Sequence, residues 1–317
     1  MLWIAVGLAV LSAVGLACGT HLQSVAVVSR SDGKLSLHQF LHILRSPRWT
    51  VGLGLLGFGT VFNVAALSLA PVTVVQPIGV LGLVITTVLH SRHVGIPINA
   101  PTWRAIALCV GGATVFVLTA VRVTDPAVAI ADRASDVVTY LLAGVIVLVL
   151  IGMLVLRDQH RALFYLFAAG TLYGFVAVQV KVISVQLRTG TGAWWQNIEY
   201  DNLIGLIVAA ALGGWLVQSA YAAGPPELVM AGLTVVDPMV GVILGLSVLG
   251  EAGANFGPVS ALALAASGGV SVSGVRLLSR HHPEVLAKLA AARAPKTGEL
   301  GIVPGAVKTR PTQQQED

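Results

Sequence analysis

The chain has 317 residues, of which 56% are hydrophobic and only 10% charged, with 35 glycines and a formal net charge of +5. A soluble domain is roughly 25% charged, so these proportions exclude an ordinary soluble enzyme, a disordered chain, a coiled coil and a disulfide scaffold. They point to an all-α polytopic membrane protein whose spans of about 20 apolar residues leave room for short loops and a tail but not for a second folded domain.

The apolar runs, taken in order, predict nine transmembrane helices. The first covers residues 2–28. Its Leu16-Ala17-Cys18-Gly19 stretch faintly resembles a lipoprotein processing site, but no Lys or Arg precedes it and the apolar run continues past it. It therefore reads as a retained helix. A basic stretch, 29–49, carries Arg30, Lys34, Arg45 and Arg48. The second helix covers 50–69. After the break at Pro71 a third runs to 90, and the fourth covers 103–121. A polar loop leads to the fifth, 137–156, and the sixth is 162–187. The seventh, eighth and ninth are 202–223, 228–250 and 258–278. Residues 279–317 read as a cytoplasmic, largely disordered tail. Cys18 and Cys109 both lie in apolar runs and read as buried small residues.

Charge sets the expected orientation. With the N-terminus outside and the C-terminus inside, 15 of the 19 Lys and Arg fall on the cytoplasmic side. Arg122, Arg133 and Arg188 fall outside, and Lys181 lies within a span. Trp3, Trp49 and Trp103 fall near span ends, as interfacial anchors should. A multi-pass protein of the plasma membrane follows, with the lipid bilayer as its first partner.

The sequence also repeats itself. Val72-Thr73-Val74-Val75-Gln76-Pro77 returns as Leu233-Thr234-Val235-Val236-Asp237-Pro238, 161 residues later. Ala70-Pro71 and Gly224-Pro225 precede the two copies, and Gly15, Gly19 and Ser29 are echoed by Gly170, Gly174 and Ser184. Repeat one is therefore about 1–122 and repeat two about 162–278, each of four helices with the fifth between them. An odd helix between copies inverts the second relative to the first. That is the pattern of an alternating-access transporter with its site near the midplane.

Ionisable groups within a span cost about 2.5–3.5 kcal/mol on the insertion scale and need a reason. Lys181 and Asp237 lie within the sixth and eighth helices and are expected to pair, binding an anionic group or exchanging protons. Gln76, the repeat partner of Asp237, likewise precedes a helix-breaking proline. Pro71, Pro77, Pro225 and Pro238 are expected to interrupt helices and free backbone carbonyls to line a cavity. His21, Asn63, Tyr173, Gln179 and Gln218 complete the candidate substrate-binding set; for each of them, as for Gln23, Gln186 and Tyr221, an interhelical hydrogen bond is the alternative reading. Glu227 and Glu251, at helix ends, are expected to be solvated. Neither a nucleophile elbow, a P-loop nor an HExxH pattern occurs in the sequence. The reading is accordingly of a non-enzyme without a cofactor, without a nucleic-acid partner, and with a metal role left unassigned.

Several stretches resemble the drug/metabolite transporter superfamily of EamA-like proteins. The run from Ala65 through Ala70-Pro71 and Gln76-Pro77 to Gly79 is similar to the NIPA-like magnesium transporter branch, as is Gly170-Thr171-Leu172-Tyr173-Gly174 followed by Lys181. Val236-Asp237-Pro238 with Leu249-Gly250-Glu251 resembles the closing helices of actinobacterial members. The resemblance implies a secondary transporter. Charge count favours a small organic solute, anionic or lipid-linked, because a divalent cation wants several hard oxygen ligands and only one acid lies clearly inside a span. Magnesium transport, implied by the resemblance, is the alternative. A non-transporting scaffold or accessory subunit is a third reading, and a second copy of the chain is a candidate partner.

Overall fold

The computed structural model describes residues 2–30, 35–69, 72–95, 97–125, 132–155, 161–189 and 199–281, and for Leu2, Leu37, Leu67, Ser68, 72–80, Asp132, Arg161, Arg188 and Thr189 the backbone alone. Pro71 and most of the tail, 282–317, lie outside the described residues, and so do the side chains of Gln76 and Pro77.

Among the described residues there are nine long helices and one short one: α1 (Leu2–Val28), α2 (Leu37–Ile43), α3 (Pro47–Leu69), α4 (Val72–Val94), α5 (Ala100–Val123), α6 (Asp132–Val155), α7 (Arg161–Thr189), α8 (Tyr200–Ala223), α9 (Pro226–Ser247) and α10 (Pro258–His281). Eight are long and apolar enough to cross a membrane. The ninth long helix, α4, has 23 residues and packs between α1 and α9. The protein is thus an all-α polytopic membrane protein.

The basic stretch 29–49 is not wholly a loop. Ser36 caps α2 through the Gln39 amide at 3.2 Å, and the Gln39 side chain returns a bond to the Ser36 amide at 3.0 Å, a reciprocal capping box. At α5, Asn99 accepts from the Thr102 amide and Pro101 occupies the first turn. The buried positions of α5, Ala105, Ile106, Cys109, Gly112, Phe116, Ala120 and Val123, recur every three or four residues and form its packing stripe.

Residue contacts give the helix directions. Gly15 lies against Gly59 and Gly19 against Gly52, so α1 and α3 are antiparallel. Tyr173 lies against Gly213, and Gln179 against Gly205, so α7 and α8 are antiparallel too. Ala13 meets Gly82 and His21 meets His93, making α1 and α4 parallel. Gly170 meets Val236 and Gly174 meets Val240, making α7 and α9 parallel. Met230 of α9 sits on Gly82, while Glu227, earlier in α9, faces His21, later in α1. Helix α9 therefore runs against α1 and α4.

Repeat-related helices consequently point in opposite directions. The α1–α3–α4 cluster is matched by α7–α8–α9, and α5 and α10 pair across the middle. In that seam Gly112 lies on Ser271, and Cys109 lies on Gly274. Gly112 to Gly274 and Cys109 to Ser271 each span 162 residues, so the two contacts are the same contact made twice with the halves exchanged. The seam is tied at both ends. Asn99 donates to the His281 carbonyl at 3.0 Å, and Thr124 pairs with Ala252 in a short antiparallel bridge. The glycine echo does not carry into packing: Gly15 and Gly19 seat α3, whereas Gly170 and Gly174 seat α9.

Helix α6 stands outside both clusters. It packs against α7 and α8 and leaves Leu148, Ile151 and Leu154 exposed, a lipid-facing surface. Helix α9 is the opposite case, touching α7, α5, α10, α4, α1 and α8. Arg30, Arg48, Arg92, Arg104, Arg276 and Arg280 gather at the basic end of the bundle, where α1, α4 and α10 end and α3 and α5 begin.

Candidate functional site

Asp237 lies midway along α9, half-buried and one residue before Pro238. Pro238 does not break α9, which runs on to Ser247, and Pro77 likewise sits inside the continuous α4. Pro225 marks the start of α9 as its N-cap. For Pro77, Pro225 and Pro238 the expectation of interrupted helices is thus corrected: each either starts a helix or removes a single hydrogen bond from it. Pro238 has no N–H, so the Thr234 carbonyl loses its helical donor on the same turn as the Asp237 carboxylate.

The α7 glycines bring α9 close. A Cβ at Gly170 would lie 2.7 Å from the Val236 Cβ, and one at Gly174 would lie 3.0 Å from the Asp237 carbonyl. Tyr173, between them, is near enough to Asp237 for its hydroxyl to sense the carboxylate, and its ring rests on Gly213 and Gly214 of α8. One further step toward the basic end, the buried Tyr221 lies beside Thr20 of α1. Helices α1, α7, α8 and α9 thus each contribute an oxygen to the bundle centre.

Lys181 does not pair with Asp237. Its Nζ is 2.5 Å from Glu251 Oε1. The α7–α9 register explains this. With Gly174 beside Val240, Lys181 comes level with the end of α9, well past Asp237. Glu251 and Glu227 are not solvated either, being 9% and 1% exposed.

The other expected ligands fall into groups at the two ends. At the basic end, Gln218 of α8 accepts from the Trp49 indole at 3.2 Å and donates to Gln23 at 3.0 Å, joining α8 to α3 and α1. His21 packs edge-on against His93 with ring centroids 5.3 Å apart, and His90 and Glu227 share its electrostatic surroundings. At the opposite end, Gln179 donates to Thr139 at 3.4 Å, and Thr139 donates to Asn202 at 2.7 Å. Glu199 Oε2 accepts from Ser135, Gln186 and Asn202 at 2.6–2.8 Å. Asn63 is half-buried on α3, which packs against α1 and α4. Of the expected residues whose side chains are described, only Tyr173 joins Asp237 at the centre. Gln218 and Gln179 join helices, the alternative reading for both. Among the described residues no group of three or more His, Cys, Asp or Glu is arranged to hold a metal ion.

Replacing Gln218 with Leu strands the Gln23 oxygen and the Trp49 indole in an apolar interface. Interhelical bonds of this kind are worth about 0.6 kcal/mol each and up to about 1.7. The variant is expected to lose about 1–2 kcal/mol in reversible detergent unfolding, with little change in any central-site property.

The sequence model described as "Magnesium transporter NIPA" matches residues 2–213. An uncharacterized protein of Corynebacterium glutamicum is 30% identical over 254 residues, covering 78% of this chain and 85% of that one. "Magnesium transporter NIPA4" of Mus musculus is 29% identical over 152 residues, 46% of this chain and 37% of that protein. Its Homo sapiens counterpart is 28% identical over the same length. No solved structure matches. The family match ends within α8, so Asp237 and Glu251 lie beyond it.

Proposed function

Because the chain belongs to the NIPA magnesium transporter family, we propose that this membrane transporter carries Mg2+ or a similar divalent cation across the plasma membrane by alternating access. The observation that carries the reading is Asp237, a half-buried carboxylate halfway along the central helix of two inverted clusters. Mg2+ takes hard oxygens, keeps several of its waters and is usually held by one or two carboxylates. Asp237, the Thr234 carbonyl and the Tyr173 hydroxyl offer that chemistry without a closed cage.

The placement of acids supports a cation further. Glu227 is buried at one end of α9, Asp237 lies in its middle, and Glu251 follows its other end. Glu227 and Asp237 are ten residues apart, about 15 Å along a helix. A cation crossing along α9 therefore meets a carboxylate at each end and one between. The preference for an organic anion rested on a lone lysine and sparse acids within the spans, whereas Glu251 pairs with that lysine and both Glu227 and Glu251 are enclosed. On this reading the basic end faces the cytoplasm.

Protein reconstituted in vesicles that enclose a Mg2+-sensitive dye tests the reading. A saturable rise in lumenal Mg2+ is the expected result. Vesicles that accumulate labelled organic anions but no divalent cation would overturn it.

A further inference from the structure

The Lys181–Glu251 pair joins α7 to the loop between α9 and α10, at the end opposite the basic one. The Glu251 backbone is fixed from several sides. Its N–H donates to the Gly245 carbonyl at 3.0 Å, and its carbonyl accepts from the Asp125 amide at 2.8 Å. Two residues on, the Gly253 amide donates to the Val123 carbonyl at 2.8 Å. Gly250, with φ of 70°, makes the turn that brings Glu251 back over the end of α9. There the carboxylate fills the space left by Gly245, where a Cβ would lie 2.8 Å from Oε2. Backbone, rather than Lys181, thus sets where the carboxylate points.

Lys181 is held differently. It projects from α7, its side chain is 36% exposed against 12% for Glu251, and it reaches the carboxylate through a four-carbon stem. An ammonium is a compact, strongly hydrated charge on a flexible tether, unlike the rigid fork of an arginine. A partly exposed pair of this kind contributes little to stability. Asp125, bonded to Glu251 through its amide, belongs to the same bridge and adds a second acid to this edge. A fixed carboxylate and a movable cation at one mouth of a cation path therefore compete for the same charge.

We propose that Glu251 is the outer receiving site for a divalent cation, and that Lys181 is a tethered competitor which occupies it until the ion arrives. Displacement frees α7 from the bridge that ties α5 to the α9–α10 loop, so that ion arrival and opening of this end are one event. This inference rests on the cation-transport reading above.

The test is the Mg2+ dependence of uptake into vesicles by the full chain, with folding checked by thermal unfolding in detergent. Coupling between two linked binding equilibria is commonly 5- to 150-fold. Lys181→Met is therefore expected to lower the half-saturating Mg2+ concentration by about tenfold. Glu251→Gln is expected to raise it by a similar factor. Lys181→Arg, which keeps the charge and holds the carboxylate more firmly, is expected to raise it and serves if Lys181→Met does not fold. Opposite shifts in the Lys181→Met and Glu251→Gln variants, or a rise in Lys181→Arg, uphold the competitor. Unchanged or parallel shifts, with both variants merely less stable, overturn it and leave a structural ion pair. Wild-type protein that takes up no Mg2+ defeats the transport reading itself, a separate outcome.

Discussion

Asp237→Asn is expected to bring Mg2+ uptake down to the level of protein-free vesicles while leaving the melting temperature unchanged or raised. The substitution preserves shape and removes one charge. Leaving a buried charge without its partner costs about 3–5 kcal/mol, so a desolvating cation that loses this carboxylate loses on the order of a hundred- to a thousandfold in occupancy. Stability moves the other way, because a carboxylate in apolar surroundings is itself a burden on the fold. Asp237→Glu keeps the charge but lengthens the side chain beside Tyr173, and partial uptake is expected. A variant that transports normally but melts early would show that Asp237 holds helices rather than ions. Flux and melting measured on the same preparation decide between the two.

Gly112→Leu is expected to abolish folded protein. A Cβ at Gly112 would stand 2.4 Å from the Ser271 hydroxyl, 2.8 Å from the Ser267 carbonyl and 2.8 Å from the Ser271 amide. Two of these are backbone, and the hydroxyl is bonded to the Ser267 carbonyl at 3.0 Å. Only separation of α5 from α10 makes room. Overpacking a close interface costs about 1–3 kcal/mol for small insertions, and a leucine here exceeds a small insertion. Gly111 is the control. It is the neighbouring glycine on α5, with nothing within 4 Å of its Cβ position, and Gly111→Leu is expected to be tolerated. Gly274→Leu should reproduce the damage of Gly112→Leu, because its Cβ would lie 2.6 Å from the Cys109 amide. Size-exclusion profiles of tagged protein read out all three. Equal losses at Gly111 and Gly112 would contradict the seam.

The helices were largely legible in the sequence because each apolar run is long and its polar breaks are sharp. The inverted relation of the halves was legible from the Gln76-Pro77 and Asp237-Pro238 copies. The short helix α2 carries its own signature in Ser36 and Gln39, hidden by a reading of that stretch as charge alone. The partner of Lys181 was not legible. Residues that are both within spans pair only if the register of their helices brings them level, and that register is set by Gly170 and Gly174 against Val236 and Val240. Glu227 was misjudged for a related reason. A position at a helix start says nothing about depth, and here the start of α9 is itself enclosed, with Gly224 through Val229 all buried. Gln179 and Gln218 are recognisable in the sequence as polar residues embedded in apolar runs. Whether such a group meets a solute or another helix depends on partners such as Thr139 and Trp49, far away in sequence.

The clip formed by Gln23, Trp49 and Gln218 has a consequence for biosynthesis. Gln23 is buried in the finished protein, yet its partner lies 195 residues further along the chain. At about 5–20 residues per second, α8 leaves the ribosome about ten to forty seconds after α1. Throughout that interval the first helices present an unmatched amide and an indole at one surface. A chain stopped before α8 keeps presenting them. The same three residues that knit the mature bundle are therefore satisfied together only once α8 is in place.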